Sequence, residues 1–262
     1  MARKDAAKPA SSGVCAYCKQ TFAKAGMTRH LQSCVARRAA TEAELKTGGK
    51  KVQSLYHIQV TCDYAEEMWL HLEMPGSATL LDLDHFLRDI WLECCGHLSS
   101  FDINGADYES DSMIEKESLG PFGMALYGGL FHRRKTYSMS KTKLQAVLTE
   151  DLVFGHTYDF GSSTELKLKV MAIRSGLPQP KEPVRLLARN LMPEIKCQQC
   201  GKKPATIIDQ EAMYDPDGKF LICKACARKR KLEDMILPLV NSPRAGICGY
   251  TGDAPDDWAD FN

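Results

Sequence analysis

Residues 55–62 read LYHIQVTC, residues 68–76 read MWLHLEMPG, and residues 79–94 read TLLDLDHFLRDIWLEC. In the first stretch Tyr56, Ile58, Val60 and Cys62 alternate with His57, Gln59 and Thr61. That is the period of a strand buried on one face. Met68, Leu70, Leu72 and Met74 repeat the alternation, and Pro75-Gly76 closes the strand. Thr79 with Asp82 then forms an approximate capping box, with Asp in place of the usual Glu. Leu83, Phe86, Leu87, Ile90 and Cys94 follow at helical spacing and give one apolar face. Two strands and a helix in this order open an α+β domain.

Outward from this core, Phe101 and Ile103 lead into Asn104-Gly105, a hairpin turn, and Tyr108 continues the return strand. Residues 110–131 are rich in Gly and Ser without a period and read as an irregular insertion. A short helix is expected over residues 141–148, and Leu166, Leu168, Val170 and Ala172 make a late strand. The predicted fold is α+β: a central mixed sheet with a packed helix, for which a β-grasp-like topology is one solution, flanked by two small metal modules. The predicted boundaries are a basic arm at 1–13, a zinc finger at 14–35, and a polar linker at 36–53 that is partly helical. The central domain follows at 54–174, then a proline-rich linker at 175–193. A zinc ribbon with a C-terminal helix and an acidic tail closes the chain at 194–262.

The 262 residues carry a net charge of only +1, but it is unevenly spread. Residues 1–55 hold 11 Lys/Arg against 3 Asp/Glu, whereas residues 56–110 hold 1 against 11. Residues 183–249 are basic again, with 12 against 7. Basic stretches of this kind meet phosphate, solvent or an acidic partner. No apolar run approaches the ~18 residues that span a bilayer, so no membrane segment is expected. Residues 1–13 lack the apolar region of a secretory signal. The expected compartment is therefore the cytoplasm, where thiols stay reduced.

Seven of the 11 cysteines, with one histidine, fall into two ligand sets. The first is Cys15-Ala16-Tyr17-Cys18, then His30 and Cys34. A two-residue gap lets one tight turn present two thiolates. His30 and Cys34 lie four positions apart and share one helix face. Phe22 and Met27 supply the apolar filler of a small ββα finger. The second set is Cys197-Gln198-Gln199-Cys200 with Cys223-Lys224-Ala225-Cys226. Two facing knuckles with four thiolates close a tetrahedral site and leave no position for water, which points to structure over hydrolysis. Residues 205–208 and 219–222 read as the ribbon's strands. Two structural zinc ions are expected.

The remaining cysteines, Cys62, Cys94, Cys95 and Cys248, read as small buried apolar residues. Cys94 fits the apolar helix face, and no third site is expected from Cys94, Cys95 and His97. The acidic clusters Asp63, Glu66 and Glu67, and Asp82 with Asp84, read as a solvated loop or helix start. Trp69 and Trp91 read as packing residues.

In the first module Ala23, Ala25 and Gly26 have no side chain that reads a base edge. Only Lys24, Thr28 and Arg29 could touch nucleic acid there, which suits phosphate contact more than sequence readout. Behind the second set, Arg228-Lys229-Arg230-Lys231 could meet phosphate. Leu232, Met235, Ile236, Leu239 and Val240 repeat at helical spacing.

The stretches at 56–62, 80–91 and 97–103, and above all Tyr158-Asp159-Phe160-Gly161, resemble the plasmid pRiA4b open-reading-frame-three-like family, also described as a passenger protein of bacterial insertion elements. The resemblance covers roughly residues 54–173. Many members follow that signature with Asp and then Trp-Glu-His, whereas Ser162-Ser163-Thr164-Glu165-Leu166 stand here. Asp159 is expected to turn the chain. The stretch NSPRAGICGYTG at 241–252 is similar to a tail on ribbon-bearing relatives. The resemblance implies a bacterial setting and mobile DNA, and no reaction.

No phosphate loop, His-Glu-x-x-His or Gly-x-Ser-x-Gly motif occurs. The function expected is therefore non-enzymatic: a zinc-binding protein that contacts DNA or RNA through Lys24, Arg29, Arg228, Lys229, Arg230 and Lys231. The alternative is a protein-interaction adaptor that uses the zinc modules and the acidic face at 56–110. The sequence leaves the oligomeric state open.

Overall fold

A computed structural model describes residues 11–46, 51–117, 135–179, 182–216, 218–232 and 235–252. The chain is a mixed α/β protein with one large sheet, few helices and Cys/His clusters that could bind zinc.

The strands of residues 55–75 form as their alternation predicts. β3, Gln53–Cys62, pairs antiparallel with β4, Trp69–Pro75. α3, Leu80–Leu87, starts at Thr79, whose hydroxyl accepts from the Asp82 amide while the Asp82 carboxylate accepts from the Thr79 amide. The capping box is reciprocal despite its shorter acid. The helix runs on through a π-type turn at Arg88–Leu92. Its apolar face, with Leu83, Leu87, Ile90 and Trp91, lies on the sheet face bearing Ile58, Val60, Leu70 and Leu72.

β5, Ser99–Ile103, and β6, Ala106–Glu109, form the predicted hairpin. Asn104 and Gly105 both take positive φ, at 53° and 77°, as a type I′ turn requires. Helix α4, Asp111–Glu117, begins the stretch expected to be irregular, and residues 118–134 lie outside the described residues. β7, Thr136–Ser138, pairs parallel to β6. Helix α5 covers Leu144–Val147. β8, Val153–Tyr158, and β9, Thr164–Gly176, complete the middle of the sheet.

The five strands read for the central domain become a ten-stranded sheet among the described residues, in the order β2-β1-β10-β4-β3-β9-β8-β5-β6-β7, where β1 is Ser12–Cys15, β2 Thr21–Ala23 and β10 Arg185–Asn190. Two of the additions, β7 and β8, lie within the expected central domain, and the other three come from segments expected to lie outside it. β1 and β2 belong to the first metal module, yet β1 pairs with β10. β10 lies inside the segment expected to be a linker and pairs on its other side with β4. Helix α2, Val35–Lys46, fills most of the other expected linker. Helix α1, Lys24–Ser33, precedes it.

Docking of the first module explains why every residue of β4 is buried. Trp69 packs with Met27 and Leu31 of α1. Glu73 accepts from Arg37 of α2 and from Arg174 of β9. His57 and His71 bond to each other at 2.9 Å, and burial holds His57 neutral, with its pKa lowered to about 3. Part of the charge separation seen along the sequence is therefore an internal contact. Arg37, from the basic first 55 positions, meets Glu73 of the acidic sheet.

A second, small sheet has the order β12-β11-β13: β11 is Ile207–Asp209, β12 Leu221–Ile222 and β13 Ile236–Pro238. Short helix α6, Gln210–Met213, follows β11. Helix α7, Lys224–Arg230, stops where Lys231 turns left-handed at φ 57°. The helix expected from Leu232 to Val240 is instead β13, paired with β11. The acidic tail from residue 253 lies outside the described residues.

Candidate metal centres

β1 ends at Cys15, and a turn bonded from the Lys19 amide to the Cys15 carbonyl brings Cys18 round to the same side. α1 carries His30, and Cys34 follows its last turn. The Cys15 and Cys34 sulfurs lie 4.0 Å apart, and Cys18 Sγ lies 3.3 Å from His30 Nε2. Two thiolates ~2.3 Å from one tetrahedral zinc sit about 3.8 Å apart, so the set fits that ion. All four ligand atoms lie within 4.8 Å of one another. The Phe22 ring stacks on His30 at 3.7 Å and fixes its orientation. Burial pushes the Cys15 thiol up to about 11. Burial also acts on Cys34, but the backbone amides of Arg37 and Ala36 and the neighbouring thiols lower it. Uneven thiols are expected where like charges crowd together, and a divalent cation removes that repulsion.

The second set brings Cys197 and Cys200 from one knuckle, in which the Gly201 amide donates to the Cys197 carbonyl at 2.8 Å. Gly201 takes φ 64°, the left-handed conformation the turn requires. Cys223 and Cys226 do not form a second knuckle. Cys223 is the N-cap of α7 and Cys226 lies in its first turn. The Cys200 and Cys223 sulfurs are 4.0 Å apart, and all four sulfurs fall within 4.8 Å. Burial opposes ionisation of Cys197, but the amides of Cys200, Cys223 and Gln199 outweigh it and hold the thiol at about 6. Burial and the adjacent thiols push Cys226 up to about 12. Cys197, Ile222, Cys223, Cys226 and Ala227 form a small buried cluster, so the ligands are much of this module's core.

A third set departs from the sequence expectation. Cys62 is buried as predicted, but Cys95 and Cys248 are exposed and Cys94 is half-buried. The ligand atoms of Cys94, Cys95, His97 and Cys248 lie within 4.8 Å of one another. Among the described residues there are therefore three Cys/His clusters that could hold metal ions, where two were expected.

The segment bearing Cys248 is held by Arg244, which is fully buried. Its guanidinium donates to Asp159 Oδ2, to the Ser162 carbonyl and to Thr164 Oγ1, and lies over the Tyr158 ring. Asp159 does turn the chain, with φ 63° and a bond from the Gly161 amide at 3.0 Å, and it also receives this arginine.

Of the expected nucleic-acid contacts, Arg29, Arg228, Lys229 and Lys231 are exposed. Lys24 Nζ donates to the Glu66 carbonyl at 2.6 Å. Arg230 pairs with Asp209 at 3.0 Å and donates to Gln199, so it is structural. Asp84, expected to be solvated, is buried and bound by Arg88 and by His156 Nε2, each at 2.7 Å. Trp69 and Trp91 are fully buried, as packing residues are. No described helix is long and apolar enough to cross a membrane.

No family model matches the chain, and no curated protein matches it. Among solved structures, the chain is similar to the protein of unknown function MM3350 from Methanosarcina mazei Go1, at 19% identity and a TM-score of 0.39, over 53% of this chain and 70% of that one.

Proposed function

We propose that this is a zinc-stabilised, non-enzymatic protein that contacts the phosphate backbone of DNA or RNA, in the mobile-element setting implied by its resemblance to the pRiA4b open-reading-frame-three-like family. In this reading the first set is a Cys3His finger built into the edge of the large sheet. The second is a four-cysteine site made by a knuckle and a helix start, a variation on the ribbon. Both are closed and structural.

The observation that carries the reading is the division of labour on α7. Cys226 faces the thiolate cluster, Arg230 turns back to Asp209, and Arg228, Lys229 and Lys231 stand free in solvent. Lys202, Lys203, Lys219 and Lys224 of the same module are also exposed, as is the Tyr214 ring at 83%. Exposed cations and an exposed aromatic on one module suit a single strand, whose bases stack while its phosphates are neutralised.

Two features support the absence of catalysis. A cavity of about 300 Å³ is lined by Arg189, Asn241, Ser242, Tyr250 and apolar side chains, without a carboxylate, histidine or cysteine. The Asp84–His156 pair is sealed in the core, where neither side chain reaches solvent. The adaptor reading is weakened because Glu73 and Asp84 of the acidic segment are spent on internal arginines.

A fluorescence-anisotropy titration of zinc-loaded protein with duplex DNA, single-stranded DNA and RNA tests the reading. Binding that weakens as salt rises is the expected result. No binding to any of the three, with zinc in place, would overturn it and turn the search toward a protein partner.

A further inference from the structure

We propose that Cys94, Cys95, His97 and Cys248 bind a third zinc ion, which clasps the segment 241–252 onto the large sheet. The inference does not rest on nucleic-acid binding.

Four distances carry it. Cys95 Sγ lies 3.7 Å from Cys94 Sγ, 3.5 Å from Cys248 Sγ and 3.0 Å from His97 Nε2. Cys248 Sγ lies 3.4 Å from the same nitrogen. These are close to the edges of a zinc tetrahedron, about 3.8 Å between sulfurs and somewhat less to nitrogen. Three thiolates and an imidazole are soft and borderline ligands, the set zinc prefers.

The backbone is shaped for the purpose at both ends. Gly96 takes φ 74°, and its amide donates to Glu93 Oε1, which turns His97 back toward the two preceding thiols. Cys248 itself takes φ 52°, a strained value for a side-chain-bearing residue, between Gly246 at 85° and Gly249 at 71°. The left-handed turn presents its sulfur to residues 151 and 153 positions earlier in the chain.

The electrostatics also fit. Binding displaces three thiol protons to solvent and leaves the site with one net negative charge. The buried Arg244 guanidinium, which also pairs with Asp159, donates to Cys94 Sγ at 3.5 Å and supports that thiolate.

This set is open to solvent at both Cys95 and Cys248. Its zinc should exchange first, and releasing it should free the segment that Arg244 and Cys248 hold down together.

Native mass spectrometry of the reduced full chain tests this, with Cys248→Ser and Cys95→Ser as variants. Both side chains are exposed, so their loss leaves the core packed. Three zinc ions in the natural protein and two in each variant are expected. On stepwise chelation, loss of the first zinc should raise amide exchange in residues 241–252 while β11 and β12 stay protected. Two zinc ions in the natural protein would overturn the proposal. So would three retained in either variant.

Discussion

The Arg244 guanidinium and the Asp159 carboxylate meet in the interior, 85 residues apart in sequence, with side-chain exposures of 0% and 7%. The pair joins the two most distinctive stretches of the chain, Tyr158-Asp159-Phe160-Gly161 and the glycine-rich segment after Asn241. Neither stretch explains the other locally. Together they place Cys248 beside His97.

Removing one partner of that pair leaves an uncompensated buried charge. Asp159→Asn or Arg244→Met is expected to cost ~3–5 kcal/mol. Urea unfolding gives the cost, and amide exchange in residues 241–252 should rise more than in β3 and β9.

Acid should loosen the core at Asp84. Burial alone would raise this carboxyl, but its bond to His156 and the charges of His156 and Arg88 hold it at about 2, below its ordinary 3.8. A depressed folded value stabilises the protein above the unfolded pKa, and the contribution is lost as pH falls through the folded one. Stability followed by tryptophan fluorescence should therefore fall between about pH 4 and pH 2. Asp84→Asn should flatten that part of the profile.

Gly13 is where the first module meets the sheet. A Cβ there would overlap the Arg189 carbonyl and the Trp69 ring. Gly13→Ala is expected to destabilise by ~1–3 kcal/mol, measured by urea unfolding, as overpacking does when the backbone cannot yield.

Zinc removal should act differently at the two closed sites. The second module has little core besides its ligands, so Cys226→Ser should abolish exchange protection in β11 and β12 and spare β3 to β9. Cys34→Ser should instead loosen β1, α1 and α2 and expose Trp69, because the first module shares a core with the sheet.

Local signals were legible in the sequence. The alternation of Tyr56 to Cys62, the Thr79 cap, the Asn104-Gly105 turn and both Cys-x-x-Cys sets depend on neighbours within one turn or strand. What was hidden depends on distant partners. β10 sits between Pro183 and Pro193, and such flanks read as a linker until β1 and β4 bracket it. The polar face of β4, with His71 and Glu73, reads as solvated because the helices that cover it precede it in the chain. The third cluster was missed because Cys94 fitted an apolar helix face, and Cys248 lies far away; the glycines around Cys248 were the available clue. The spacing of Leu232 to Val240 matches a helix, but Met235 takes φ 59° and Ile236–Pro238 extends β11.

The most direct test of the functional account is the salt dependence of nucleic-acid affinity for zinc-loaded protein, compared with a variant neutralised at Arg228, Lys229 and Lys231. The account predicts that the slope of log affinity against log salt shrinks by about 0.7–0.9 for each lost phosphate contact, with zinc content unchanged. A slope and affinity that are the same in both proteins would contradict it.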